Sequence, residues 1–339
     1  MTTLTVCVGL DYHADSIRVC VMTMEGQELT NRSVRNEVGS IIEAIHNSGR
    51  EFHVVVHRVA IEACCGAADF AANLSAASEW SVRLAHAGAV RRLKSGPDKT
   101  DHGDAWHLAN LARVNYLPEV WLADDQTRQL RRLVRHRQAL MADAKDIKLR
   151  IRSLLKEERV VESCGAGSWT KTWRAWLVTV SLGEHSRWIM EQELKRLEQL
   201  EANIKTVDER MSDTTQSDPT VQRLLEQAGV GLVTALLLRA VIGRFDRFRS
   251  GKQLSRYCGL TPCNASSGKR QADAGLIQAG HDDLRAVLIQ LAKRLPRHEP
   301  RWRVLHTQLR KSKPANVATA AVANRWVRCL FHEMKTLAA

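Results

Sequence analysis

Aromatic side chains make up only 5% of the 339 residues, and no apolar run approaches the roughly 20 residues a spanning helix needs. The N-terminus carries no signal-peptide pattern, so a cytoplasmic protein with no membrane partner is expected. The eight cysteines (Cys7, Cys20, Cys64, Cys65, Cys164, Cys258, Cys263 and Cys329) form no CxxC pair, which leaves a zinc site unsupported and predicts reduced, mostly buried thiols. Hydrophobic residues at 44% and charged residues at 26% are a globular composition, and the length suffices for two or three domains.

What is present is unevenly placed. From Val221 to Ala339 there are 21 Lys plus Arg against 7 Asp plus Glu, a net of +14. The other 220 residues hold 29 basic and 30 acidic side chains, a net of −1. A fold does not need such asymmetry; a polyanion partner does, because each neutralised phosphate releases counterions.

Three segments are expected. Residues 1–118 alternate β-rich runs (Leu4 to Leu10, Ile17 to Met24, His53 to Ile61, Val82 to Ala85) with helical patterns (Gly39 to Ser48, Ala67 to Ser78, Asp101 to Val114), which predicts an α/β domain. Asp101 is placed to act as an N-cap. Residues 119–212 have almost no strand signal. Apolar positions from Leu130 to Leu155, interrupted by Arg137, and from Met190 to Met211 recur near heptad spacing. They predict two long coiled-coil helices, folded back as a hairpin or paired between subunits. Trp169, Trp173, Trp176 and Trp188 read as packing residues. Residues 213–339 open with "LLEQAGVGLVTALLLRAVIG", where Gly229 and Gly231 separate two apolar helical stretches. That is the pattern of a helix-hairpin-helix element, whose turn offers backbone N–H groups to phosphates. A glycine-containing turn between core helices fits the same letters.

Four acidic residues draw attention as a set: Asp11 and Glu62 stand where solvated charges are unusual, whereas Asp104 alone would be an ordinary solvated helix residue and Asp101 alone an N-cap. Asp11 follows the apolar run Val6 to Leu10, Glu62 ends "VVVHRVAIE", and Asp101 and Asp104 are three apart on one helical face. If they converge, they repel one another unless a cation offsets them. Hard oxygen ligands favour Mg²⁺, and two such ions stabilise both oxygens at a phosphodiester.

These residues resemble a known family. "VGLDYHADSIRVCVM", "AIEACCG" and "DKTDHGDAWHLANL" are similar to the RuvC-like, RNase H-fold domain of DEDD-type insertion-sequence transposases, a group that includes Piv-type invertases and bridge-RNA-guided recombinases. "AGVG", "FRSGKQLSRYCGLTP", "SSG" and "AGHDDLR" follow in that family's order. The resemblance implies a metal site of Asp11, Glu62, Asp101 and Asp104 holding Mg²⁺. It also implies a serine nucleophile at Ser267, with Ser266 adjacent, in a mainly α C-terminal transposase domain. "NASSGK" by itself reads as a surface turn. Nucleic-acid contacts are expected at Lys99, Gly229, Gly231, Arg244, Lys252, Lys269, Arg270 and Arg285. Gln278, "AGVG" and the Cys64–Cys65 pair depart from the family pattern.

The implied activity is DNA strand transfer through a phosphoserine link, on target and donor duplexes. The implied partners are a guide (bridge) RNA and further copies of the chain in a dimer or tetramer, and a prokaryotic, nucleoid-associated location follows. The alternatives are a Mg²⁺-dependent junction-resolving nuclease that uses water, and a non-catalytic nucleic-acid-binding protein derived from a transposase.

Overall fold

A computed structural model describes residues 3–49, 52–94, 100–162, 165–264, 273–278 and 280–335, which divide into two compact units at Asp124 and Asp125. The first unit is built on a six-stranded sheet. In chain order it runs β1 (Thr3–Tyr12), β2 (Ser16–Thr23), β3 (Glu28–Arg35), α1 (Val38–His46), β4 (His53–Glu62), α2 (Ala67–Ser78), β5 (Val82–Ala85), α3 (Ala87–Leu93), α4 (Asp101–Arg113) and β6 (Glu119–Val120). The strand order is β3-β2-β1-β4-β5-β6. β1 pairs antiparallel with β2 and parallel with β4, in a register that sets Leu10 opposite Ile61.

The period-2 alternation of a strand divides this sheet into two faces. Val6, Val8 and Leu10 of β1 join Val59 and Ile61 of β4 in one apolar cluster with Ile41 and Ile45 of α1 and Phe70 and Leu74 of α2. On the other face, Cys7 and Ala60 pack with Leu108, Leu111 and Ala112 of α4, and Cys20 and Met22 of β2 pack with Ala105 and Ala109. Several side chains facing α4 are small, Cys7, Cys20 and Ala60 among them, so the helix lies close to the sheet there.

Strands β3 and β6 carry no apolar alternation and were not expected from the sequence. β3 (ELTNRSVR) lies at the sheet edge with its side chains half-buried or exposed. One cap is corrected: Thr100, not Asp101, is the N-cap of α4, its hydroxyl accepting from the Gly103 N–H at 3.1 Å. Asp101 is thereby the first residue of the helix, and its carboxylate is not spent on capping.

The second unit is helical. It comprises α5 (Asp125–Glu157), α6 (Lys171–Thr179), α7 (Glu184–Thr215), α8 (Pro219–Leu225), α9 (Leu232–Ile242), α10 (Gly251–Tyr257), a two-stranded ribbon of β7 (Pro262–Asn264) and β8 (Asp273–Leu276), α11 (Asp282–His298), α12 (Pro300–Arg310) and α13 (Ala315–Lys335). α5 and α7 pack against each other within the chain, with an apolar seam that includes Ala144, Ile147, Ile151, Met190 and Leu197. Arg137, which interrupts the heptad pattern, donates to both carboxylate oxygens of Asp208 at 2.5 and 3.2 Å, and Arg150 donates likewise to Glu193. The pairing of a rising number on α5 with a falling one on α7 makes the hairpin antiparallel. Trp169, Trp173 and Trp176 pack together as tilted rings in this unit, as expected of packing residues, whereas Trp188 is 63% exposed, contrary to that expectation. A separate core gathers Leu236 and Leu238 of α9, Leu254 of α10, Leu284 and Leu291 of α11, and Trp326 and Leu330 of α13. No helix among the described residues is long and apolar enough to cross a membrane.

Candidate active site

Gly9 sets the geometry. A Cβ at this position would stand 2.0 Å from the Ala105 carbonyl oxygen and 2.4 Å from the Ala109 nitrogen, so only a hydrogen fits between β1 and α4. Two residues on, the same face of β1 ends at Asp11, and the first turn of α4 ends beside it. The aspartates of that turn therefore meet the end of the strand because the helix backbone rests on a glycine.

Asp11 and Asp101 are joined by a residue that sequence reasoning did not select. His13 Nε2 lies 3.2 Å from Asp11 Oδ2 and 3.7 Å from Asp101 Oδ1. One ligand atom from each of Asp11, His13 and Asp101 lies within 4.8 Å of the others. The signal was available: His13 follows Asp11 by two, the interval that keeps side chains on one face of an extended chain. Burial raises the Asp11 carboxyl above its ordinary value, the charges of Asp104 and Asp101 push the same way, and His13 opposes them by charge and hydrogen bond.

Asp104, one turn further along α4, is buried and ion-paired to Lys94, the residue after α3. Beside this pair, burial and then the Lys94 charge push the His107 imidazole below its ordinary value, and its Nε2 is buried with no hydrogen-bond partner. Glu62 is the residue after Ile61, on the α4 face of β4, at the strand end next to that of Asp11. Its carboxylate is not one of the three grouped donors, although Glu62 and Asp11 both raise the Cys64 thiol, whose largest perturbation is burial. The donor set fits a divalent cation: two carboxylates and an imidazole converge, and a third carboxylate nearby already holds an ammonium.

A second tie fixes α4 to the sheet edge. Asn31 of β3 donates to the His102 carbonyl at 3.1 Å while its own side-chain oxygen accepts from Arg18 of β2 at 2.8 Å.

In the second unit, Gly229 (φ 76°) makes the turn between α8 and α9, and Gly231 is the N-cap of α9 with open space where a Cβ would stand. Arg244 is exposed and paired with Asp246, Lys252 is exposed on α10, and Arg285 donates to the Ile277 carbonyl at 2.7 Å and pairs with Asp282. Lys99, Ser266, Ser267, Lys269 and Arg270 lie outside the described residues.

Comparison with known proteins assigns the class. A transposase family model of the DEDD type, DEDD_Tnp_IS110, matches residues 8–159, the stretch that holds all four acidic residues. A second model, described as the transposase IS116/IS110/IS902 family, matches residues 221–307, the start of the basic region. The chain is 29% identical over 323 residues to a probable family 20 transposase of Pseudomonas aeruginosa, covering 85% of this chain and 92% of the relative. It is 24% identical over 294 residues to the transposase for insertion sequence element IS1111A of Coxiella burnetii, covering 86% of this chain and 78% of that one. A putative transposase of Sinorhizobium fredii, y4pF/y4sB, is 27% identical over 287 residues, covering 81% and 72%. The chain thus belongs to the DEDD-type insertion-sequence transposases of the IS110 kind, enzymes that act on DNA.

Proposed function

We propose that this transposase is a DNA recombinase that cleaves and rejoins strands through Ser267, assisted by a cation held at Asp11, Glu62, Asp101 and Asp104 in a RuvC-like, RNase H-fold domain. The observation that carries the reading is the seating of α4 on Gly9, with Asp101 and Asp11 in one group of donors and Glu62 at the end of the strand that pairs beside β1. A bound Mg²⁺ would withdraw electron density from the scissile phosphate and offset its transition-state charge.

The Ser267 hydroxyl attacks phosphorus; the Oγ–P bond forms as the P–O3′ bond breaks. The hydroxyl proton leaves Ser267, and the departing 3′ oxygen takes up a proton, so that one strand ends in phosphoserine and the other in a 3′-hydroxyl. The 3′-hydroxyl of a new partner strand then attacks the phosphoserine and releases Ser267. Lys269 and Arg270 flank the serine in sequence and are suited to hold the phosphate.

The turn at Gly229 and Gly231 supports a helix-hairpin-helix role. Gly231 leaves the backbone open at the N-terminus of α9, where N–H groups and the helix dipole favour phosphate, while Gly229 makes the turn through its positive φ and packs against Leu291 of α11. Lys99, Arg244, Lys252 and Arg285 complete the proposed contacts. The basic last third and the scarcity of aromatics fit a protein that reads backbone and shape while a guide (bridge) RNA pairs with target and donor DNA, in a dimer or tetramer. The antiparallel hairpin of α5 and α7 is its coiled-coil element.

The test is to purify the full chain with any RNA it carries and incubate it with duplexes matching that RNA. A protein–DNA adduct that survives denaturation is expected for the wild type and for Ser266→Ala, and is absent for Ser267→Ala and Asp11→Ala. Cleavage that persists unchanged in Ser267→Ala would identify water as the nucleophile and overturn the serine assignment.

A further inference from the structure

Asp11 and Asp101 belong to different elements, and an imidazole reaches both. His13 stands just past β1, half-exposed, with Nε2 between the two carboxylates. Asp104 differs in having its charge answered by Lys94. Among the described residues the aspartates thus divide into Asp104, which carries its own cation, and the pair Asp11 and Asp101, which is met by a histidine.

We propose that His13 is a ligand, through Nε2, of the divalent cation held by Asp11 and Asp101, so that the site is a mixed oxygen–nitrogen one. This rests on the cation reading given under the proposed function. The three donor atoms lie within 4.8 Å of one another, close enough to share one ion after small side-chain rotations. The ring is accessible, and its place two residues from Asp11 gives it the same side of the chain. An imidazole donor raises affinity for first-row transition ions more than for Mg²⁺, which prefers oxygen. The site therefore takes Mn²⁺ in preference to Mg²⁺ to a degree that carboxylates alone would not give.

The test uses the full-length, metal-free protein and Mn²⁺ as the probe, followed by electron paramagnetic resonance. Bound Mn²⁺ in the wild type is expected to show electron spin-echo modulation from a directly coordinated nitrogen. His13→Gln is expected to lose that modulation and to bind Mn²⁺ about tenfold more weakly or worse, with a smaller change for Mg²⁺. Asp11→Ala is expected to abolish specific binding. Wild-type protein that binds Mn²⁺ without nitrogen modulation, or modulation that persists in His13→Gln, overturns the ligand assignment and leaves the carboxylate site standing. Failure of the wild type to bind Mn²⁺, or equal binding by Asp11→Ala, overturns both. The wild-type spectrum decides the question even where a variant folds poorly.

Discussion

Gly9→Ala tests whether the site depends on the approach of α4 to β1. The added methyl would lie 2.0 Å from the Ala105 oxygen and 2.4 Å from the Ala109 nitrogen, both of them backbone atoms that cannot rotate away. A carbon and an oxygen not bonded to each other need at least about 3 Å, so α4 must retreat by about 1 Å or the strand must bend by as much. Overpacking of this kind costs about 1–3 kcal/mol or somewhat more. The functional loss is expected to be larger than the stability loss suggests, because the retreat carries Asp101 and Asp104 away from Asp11, and a displacement of about 1 Å at reacting groups costs about a hundredfold in rate. Gly39→Ala is the control. Gly39 lies in α1 with no atom within 4 Å of its would-be Cβ, and the substitution is expected to stabilise by about 0.5–1 kcal/mol. Urea denaturation gives the stabilities, strand cleavage gives the rate, and Mn²⁺ titration reports the assembled donors. Gly9→Ala with wild-type stability and wild-type Mn²⁺ affinity would refute the reasoning, since the methyl has nowhere to go unless the helix moves.

Other outcomes follow from the second unit and the thiols. Arg137→Ala should destabilise by about 1–3 kcal/mol because it strands Asp208 in a partly buried seam, while Arg137→Leu with Asp208→Leu should recover most of the loss; a double-mutant cycle by urea denaturation measures the coupling. The hydrogen bond from Arg174 holds the Glu201 carboxyl below its ordinary value of 4.5. A carboxyl lowered in the folded state contributes stability that is present above its unfolded value and is lost as pH falls through the folded one. Glu201→Gln should therefore flatten the acid limb of the stability–pH profile below about 4.5 and lower stability above it. The expectation of mostly buried thiols is not met among the described residues, so thiol labelling of the native protein should modify the exposed Cys64, Cys65 and Cys329 and spare the buried Cys7, Cys20 and Cys258; burial pushes the Cys20 thiol up to about 12. Labelling of Cys20 at the rate of Cys329 would contradict the packing of β2 against α4.

The strands that bury a face were legible because alternation and β-branched content announce them, and α2 was bounded at Ala67 and Ser78 as it stands. Polar β3 was not, since an edge strand held mainly by backbone pairing needs no apolar pattern. Asp11 and Glu62 were visible as carboxylates at the ends of apolar runs, and the spacing of Asp101 and Asp104 placed both on the first turn of a helix. What the letters could not carry was proximity across elements. The ammonium of Lys94 on Asp104, the reach of His13 to Asp101 and the 2.0 Å clearance at Gly9 all depend on how a helix seats on a sheet, not on neighbours in the chain. Arg137 looked like a flaw in a heptad because its answer, Asp208, lies on another helix.

The helical hairpin is keyed as well as packed. Leucine and isoleucine seams tolerate sliding, because one methyl group is much like the next, but the Arg137–Asp208 and Arg150–Glu193 forks are bidentate and lie several turns apart. A slip of one turn, about 5.4 Å, would unseat both forks together and leave four charges without their mates. The two pairs thus act as detents on a rod of 33 residues, about 50 Å long, that has one stop rather than a range of settings.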